Sequence, residues 1–428
     1  MLRRKKQKQA STVAGRRRYR IKRASPFLDY ARVLANYYKV HPHLLAARGL
    51  LQNLERQFGA VCPAFDSQER QFARAFFLIR EAIAQRSFPG AALAVTHRGA
   101  LVVSQGFGRF NYDENSPEVQ RETIFDLASV SKALATTTMA MLLYERDHLP
   151  LDEPLLQALP EFVTLAPKHQ QEARQAVTIR MLLAHSSGLP AYEKLFEFAT
   201  TREDLIRAAL TTPLRSVPGT RADYSDIGFI LLGELLARKA AIPLDIFMRR
   251  EIFAPLGMMR TCFNPTLELK GQIPPTEDDR RFRKRVIQGE VNDENAYVMG
   301  GVAGHAGVFA PATDVARFAE CMLHGGAPIL RPETVKLFTR REPSPAGTSR
   351  ALGWDTPSRP ESSSGRWFSS LAFGHLGFTG TSLWLDPGRR LSVTLLTNRT
   401  WPDRSSQLIR ELRPQVHDAI VEGIDGRS

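Results

Sequence analysis

The chain has 428 residues, 43% hydrophobic and 24% charged, with a net charge of +14. That length implies more than one structural unit, and the composition is that of a folded globule rather than a disordered or fibrous chain. Three cysteines, Cys62, Cys262 and Cys321, lie far apart with no CxxC spacing, which argues against a disulfide framework or a zinc site.

The charge is concentrated at one end. Residues 1–23 hold eleven Lys or Arg and no acid, and the remainder carries about +3. Residues 1–26 therefore read as a basic, disordered tail. An arm contacting nucleic acid or an anionic membrane competes with a merely solvated terminus, and the second reading is preferred. A transit peptide has the same composition. No apolar run is long enough to span a bilayer, and no secretory h-region follows the tail, so a cytoplasmic location is favoured.

Residues 27–66 read as a helical extension. His41 and His43 flank Pro42, which breaks any face that could present both to a metal. A helix is predicted from Asp66 or Ser67 to about Arg86, from Phe72, Phe76, Phe77, Ile79 and Ile83, and Pro89-Gly90 stops it. Ala91–Thr96 and Ala100–Gln105 read as a hairpin around His97-Arg98-Gly99. A long helix follows from about Ser129 to Arg146.

The stretch from about 151 to 265 is mainly helical. It includes Val177–Ala184, capped by Thr178, and the apolar run Phe229–Ala240. Strand signals return at Thr381–Leu385 and Leu391–Asn398 around Asp386-Pro387-Gly388, and an amphipathic helix spans about Ser405–Val421. Ser344–Gly365, rich in Pro, Ser and Gly, reads as an ordered loop or flap edge. The fold class expected is α+β: an antiparallel sheet flanked by helices (about 67–150 and 266–428), with an inserted helical lobe (about 151–265) and a cleft between them.

Three strings carry chemistry. Ser129-Val130-Ser131-Lys132 opens the long helix. A serine hydroxyl needs a base, and positions i and i+3 share a helix face, so Lys132 reaches Ser129. Desolvation can lower a lysine pKa enough for it to take a proton. Tyr224-Ser225-Asp226 precedes the apolar helix. The phenol can relay a proton if a cation, here Lys132, lowers its pKa, while Asp226 could simply cap the helix. Gly374-His375-Leu376-Gly377-Phe378-Thr379-Gly380-Thr381 runs into a strand. The N–H groups of Phe378 and Ser129 would form an oxyanion hole. Each string alone is common by chance; their order and spacing are not.

Together the three strings resemble the serine β-lactamase-related family, the β-lactamase/transpeptidase-like proteins that include class C β-lactamases, penicillin-binding DD-peptidases and family VIII esterases. The resemblance covers about residues 67–420. Ser129 and Lys132 match the family's SxxK, Tyr224 to Asp226 its Tyr-x-Asn, and His375 to Gly377 its Lys-Thr-Gly or His-x-Gly. Leu182 to Leu189 and Gly300 to Phe309 support the match. It implies acyl transfer through an acyl-enzyme on Ser129, with Lys132 and Tyr224 moving protons. The substrate would be a small ester, amide or D-amino-acid peptide, with no cofactor, metal or obligate protein partner.

Two departures stand out. Asp226 replaces Asn, and its charge would favour the lysine ammonium, which moves weight to Tyr224 as the working base. Leu376 replaces a Thr that helps bind a substrate carboxylate, which disfavours β-lactamase or DD-carboxypeptidase activity; Thr379 or Thr381 could compensate. Two rival readings are set against this one. A Ser-His-Asp triad using His185 or His305 lacks a G-x-S-x-G elbow, and the bland role for either histidine is structural. A catalytically silent binding or assembly protein would have no need of Ser129, Lys132 and Tyr224 together.

Overall fold

The computed structural model describes residues 65–358 and 361–426. The basic tail, the expected helices before residue 60, His41, His43 and Cys62 lie outside the described residues.

Helix α1 (Ala73–Ala84) follows a short helix at Phe65–Gln71, so the first predicted helix breaks at Phe72. Phe76 and Ile79 are buried, whereas Phe77 is 58% exposed, because consecutive helical residues cannot share one face. Strands β1 (Gly90–His97) and β2 (Ala100–Gly108) form the predicted hairpin. Strand β3 (Ile124–Asp126) leads into the Ser129 segment.

The long helix expected from Ser129 is not regular. It begins with consecutive i→i+3 bonds, from the N–H groups of Val130, Ser131 and Lys132 to the carbonyls of Leu127, Ala128 and Ser129. Residues Lys132–Thr137 are then wound as π turns, and only α2 (Thr138–Glu145) is α-helical. Hydroxyls intrude on the ladder: Thr138 donates to the Ala133 carbonyl, and Thr136 donates out of the helix to Gly304. Single π segments of this kind concentrate at functional sites.

Between β3 and β4 (Cys262–Phe263) the named elements are all helical. Ile179–Leu183 is capped by Thr178 as expected, its Oγ1 accepting from the Met181 N–H. Helix α3 (Asp226–Ala240) starts three residues earlier than its apolar run, and its cap is Ser225, whose Oγ accepts from the Gly228 N–H. The expectation that Asp226 caps this helix is thereby corrected. Strands β5 (Glu277–Asp279) and β6 (Arg285–Ile287) form a small hairpin, and β7 (Val308–Pro311) pairs with β3 and β4. Helix α4 (Ala312–Leu323), strands β8 (Phe373–Leu376), β9 (Ser382–Asp386) and β10 (Leu391–Thr397), and helix α5 (Ile409–Asp425) complete the chain.

The main sheet is antiparallel, in the order β2-β1-β10-β9-β8. Its central strands are buried on both faces. Ala91, Leu93 and Val95 of β1 pack with Val393 and Leu395 of β10 beneath α1 and α5. Ala92 and Ala94 face the other way, into a core shared with α2, α3 and α4. The small side chains on that face let helices approach the sheet closely. This second core runs without a break into the helical region, so the two parts share one apolar interior.

Helix α3 presses on the loop that follows α3's own lobe. A Cβ on Gly233 would stand 2.7 Å from the Gly304 Cα, nearer than real Cβ atoms come. Helix propensity alone would make Gly233→Ala stabilising by about 1 kcal/mol. We expect the clash to win, with a net loss of about 1–3 kcal/mol, read as a lower denaturant midpoint. An unchanged or raised midpoint would show that the loop yields freely.

Candidate active site

Ser129 stands at the head of the i→i+3 turn. In such a turn, residues three apart eclipse, which sets Lys132 directly over Ser129. The Lys132 Nζ donates to Ser129 Oγ at 2.8 Å and to the His305 carbonyl at 2.9 Å, and it pairs with Asp226 Oδ1 at 2.6 Å. Its side chain is fully buried. Burial lowers the lysine pKa and Asp226 opposes that shift. Three acceptors suit an ammonium. They suit a neutral amine equally, which would donate to Asp226 and His305 and accept the Ser129 hydroxyl proton.

Tyr224 closes the circuit. Its phenol is under the influence of Ser129 and Asp226, and Lys132 Nζ lies 5.0 Å from its ring centroid. Ser129, Lys132, Asp226 and Tyr224 thus form a ring of polar contacts. The expectation that Lys132 would lower the phenol's pKa does not hold. Burial is the largest influence and pushes Tyr224 well above 10, with the Asp226 charge adding to it. Tyr224 is therefore a neutral donor, and Lys132 is the group whose proton affinity is reduced. The Asp that stands in place of Asn opposes ionisation of the phenol while it favours the lysine ammonium.

The backbone here is held under tension. Ala128, just before Ser129, has φ +46, a left-handed conformation costly for a non-glycine residue. Asp126 stabilises it: Oδ1 accepts from the Ala128 N–H at 2.8 Å and Oδ2 from the Asn292 N–H at 2.7 Å. Burial raises the Asp126 pKa to about 6.

The glycine-rich string forms the opposite wall. His375, on β8, is 3% exposed, and its ring lies 6.1 Å from that of Tyr224. Its Nδ1–H donates to the Leu376 carbonyl at 2.8 Å, which leaves Nε2 as an unpaired acceptor among the described residues. Burial, then Lys132, lowers its pKa to about 3, so it stays neutral. Leu376 packs onto the core beneath α1 and α5. Thr379 and Thr381 do not supply the missing carboxylate anchor. Both are fully buried, and their hydroxyls donate to the carbonyls of Asp126 and Leu127 at 2.8 and 2.9 Å. They fasten the Gly377–Thr381 turn to the strand that delivers Ser129.

Both remaining histidines have structural partners. His185 Nδ1 accepts from the Ser225 N–H, and its ring stacks on Phe229 and lies against Tyr224. His305 Nε2 bonds Asp293 at 2.8 Å while its carbonyl receives Lys132. Neither is a hydrogen-bond partner of Ser129, which removes the basis for a Ser-His-Asp triad.

A cavity of about 670 Å³ opens over Ser129, Tyr224, Asp226, His375, Gly377 and Phe378. Its remaining wall includes groups that the sequence did not single out: Tyr192, Asp293, Arg350, Arg399 and Arg413. Arg350 and Asp355 come from the Ser344–Gly365 loop. No motif marks the others, which are drawn from distant segments.

The family model for beta-lactamase matches residues 75–417. The chain belongs to the beta-lactamase family. Among curated relatives of this beta-lactamase-family protein, the N-acetylmuramyl-L-alanine amidase of Bacillus subtilis (strain 168) is 34% identical over 349 residues, covering 73% of this chain and 77% of the relative. A protein of Escherichia coli (strain K12) named "Putative D-alanyl-D-alanine carboxypeptidase" is 30% identical over 346 residues, covering 73% and 79%. Among solved structures, EstCE1, a hydrolase with promiscuous acyltransferase activity, superposes with a TM-score of 0.68 at 22% identity, over 82% of this chain and 99% of that one. Simvastatin synthase (LovD) from Aspergillus terreus, in a mutant form, superposes at 0.65 and 21% identity, over 82% and 95%. These two likenesses establish the fold, and the family establishes a serine hydrolase. No described helix is long and apolar enough to cross a membrane.

Proposed function

We propose that this hydrolase cleaves amide bonds in small, peptide-like substrates through an acyl-enzyme on Ser129. The observation that carries the reading is the Ser129 Oγ–Lys132 Nζ contact of 2.8 Å, with the lysine wholly buried and Ser129 lining the cavity. Ser129 Oγ attacks the acyl carbonyl as its proton passes to the neutral Lys132 amine. The N–H groups of Ser129 and Phe378 hold the oxyanion. Tyr224, kept neutral, gives its proton to the departing amine and recovers one from Lys132. Water then enters by the reverse sequence and releases the acid.

Two features support an amide with an acidic group over a simple ester. Both curated relatives have names that denote cleavage of amide bonds. Arg410 lines the cavity and has no carboxylate partner among the described residues, whereas the buried Arg399 and Arg413 beside it are held by backbone carbonyls. Arg410, at the start of α5, is exposed to solvent there. A substrate carboxylate fits that charge without the hydroxyl that Leu376 lacks. The narrower activities, β-lactamase or DD-carboxypeptidase, differ from this reading only in which amide enters.

A fluorophosphonate probe should label the protein, with the adduct located on Ser129 by mass spectrometry. A panel of p-nitrophenyl esters, a chromogenic cephalosporin, D-alanyl dipeptides and N-acylmuramyl amides should give its highest kcat/KM on an amide bearing a carboxylate. Labelling that persists in Ser129→Ala would falsify the assignment. Turnover confined to neutral esters would remove the amide preference.

A further inference from the structure

The turn that carries the Phe378 N–H is gripped by two cations. The Gly377 carbonyl accepts from the Gly380 N–H at 3.1 Å and from Arg413 Nη2 at 2.8 Å. The same nitrogen donates to the Thr381 carbonyl at 2.8 Å, and that carbonyl also accepts from the Gly377 N–H at 2.8 Å. The next carbonyl, of Phe378, accepts from Arg399 Nε at 2.7 Å, with the Arg399 guanidinium 4.5 Å from the Phe378 ring centroid.

Arg413 projects from α5, is 6% exposed, and has no carboxylate partner among the described residues. Its neighbours Arg399 and Arg410 repel it, and burial pulls its pKa down to about 9. A buried cation with no counter-ion is costly. An apolar side chain of the same size would fill the space without that cost. The charge therefore serves the carbonyls it binds.

In a trans peptide the C=O and N–H point in opposite directions. Holding the Gly377 oxygen against Arg413 thus turns the Phe378 N–H away from that guanidinium, and Gly377 and Phe378 line the same cavity as Ser129. Hydrogen bonds along a chain polarise one another, so a guanidinium on the oxygen makes the N–H of that peptide a stronger donor. The Thr379 and Thr381 hydroxyls already fix the spacing between this turn and the Ser129 segment.

We propose that Arg413 is a positioning residue that orients and polarises the Gly377–Phe378 peptide, delivering its charge through the backbone to the oxyanion formed at Ser129. This rests on the reading above, in which the Phe378 N–H is an oxyanion donor. Arg399 secures the following peptide and keeps the turn from rotating.

The test uses the full chain with Arg413→Met and Arg413→Lys. Each protein is acylated with an ester carrying a ¹³C-labelled carbonyl, and the acyl-enzyme carbonyl stretch is read by infrared difference spectroscopy. In Arg413→Met the stretch should move to higher frequency. The kcat should fall about 10- to 100-fold with KM little changed, less than the loss from deleting a donor outright. Arg413→Lys keeps the charge on a shorter side chain without the planar guanidinium, and should recover part of both effects.

A stretch that stays at the wild-type frequency in both variants overturns the proposal, whatever the rate. Loss expressed only in KM or only in thermal stability overturns it too, as does failure of both variants to accumulate as folded protein. If the wild-type protein forms no acyl-enzyme on Ser129, the proposed function fails instead, and the two failures are thus told apart.

Discussion

Replacing Lys132 by methionine is expected to slow acylation of Ser129 by roughly four orders of magnitude, the scale seen when one member of a coupled catalytic unit is removed. The loss has two parts that a second variant separates. Methionine removes the proton acceptor 2.8 Å from Ser129 Oγ, and it also strands the Asp226 carboxylate, whose side chain is 15% exposed and whose Oδ1 was paired at 2.6 Å. An uncompensated buried charge destabilises a fold by on the order of 3 kcal/mol. The double variant Lys132→Met with Asp226→Asn relieves that charge. Its thermal midpoint should return most of the way to wild type while acylation stays lost. Recovery of activity along with stability would mean that Lys132 serves the fold and not the chemistry.

Asp226→Asn alone should move the acid limb of the pH–kcat/KM profile to lower pH. The sign follows from the ring. Acylation needs the free amine, so the rate rises with pH through the Lys132 pKa, which burial holds below the ordinary 10.5. The Asp226 anion favours the ammonium and so works against burial; a neutral amide removes that opposition and leaves the amine free at lower pH. Tyr224 would shift the same way, since the same anion raises it. Tyr224→Phe distinguishes the two. The limb should survive in that variant, at reduced rate, if the amine is the base, and should vanish if the phenolate is. An acid limb that stays in place in Asp226→Asn would show that the carboxylate is not coupled to the titrating group.

The elements that position the site were legible because they are local. The hairpin at β1–β2, the Thr178 cap and the strands around Asp386-Pro387-Gly388 follow from side-chain period and turn chemistry within a few residues. The SxxK spacing also survives, although the geometry behind it differs. The eclipsed i→i+3 turn, not a regular helix, brings Lys132 over Ser129, and the hydroxyls of Thr136 and Thr138 that accompany its winding look from the sequence like ordinary helix residues. Phe77 misled for a related reason: it fits an apolar stripe by composition but points away from it.

Lys132 and Ser129 are therefore the part of this protein that the sequence determined by itself, since three residues of spacing and one turn of chain suffice to join them. Which group has its proton affinity lowered was decided only by tertiary structure. The burial that lowers Lys132 and raises Tyr224 is a property of everything packed around them, and Asp226 meets Lys132 across ninety-four positions of chain. The same holds for Thr379 and Thr381, spent on the carbonyls of Asp126 and Leu127, and for Arg413, whose partners lie on a turn more than thirty residues away. Side-chain period and turn chemistry describe neighbours along the chain, whereas pKa shifts and backbone polarisation depend on neighbours in space.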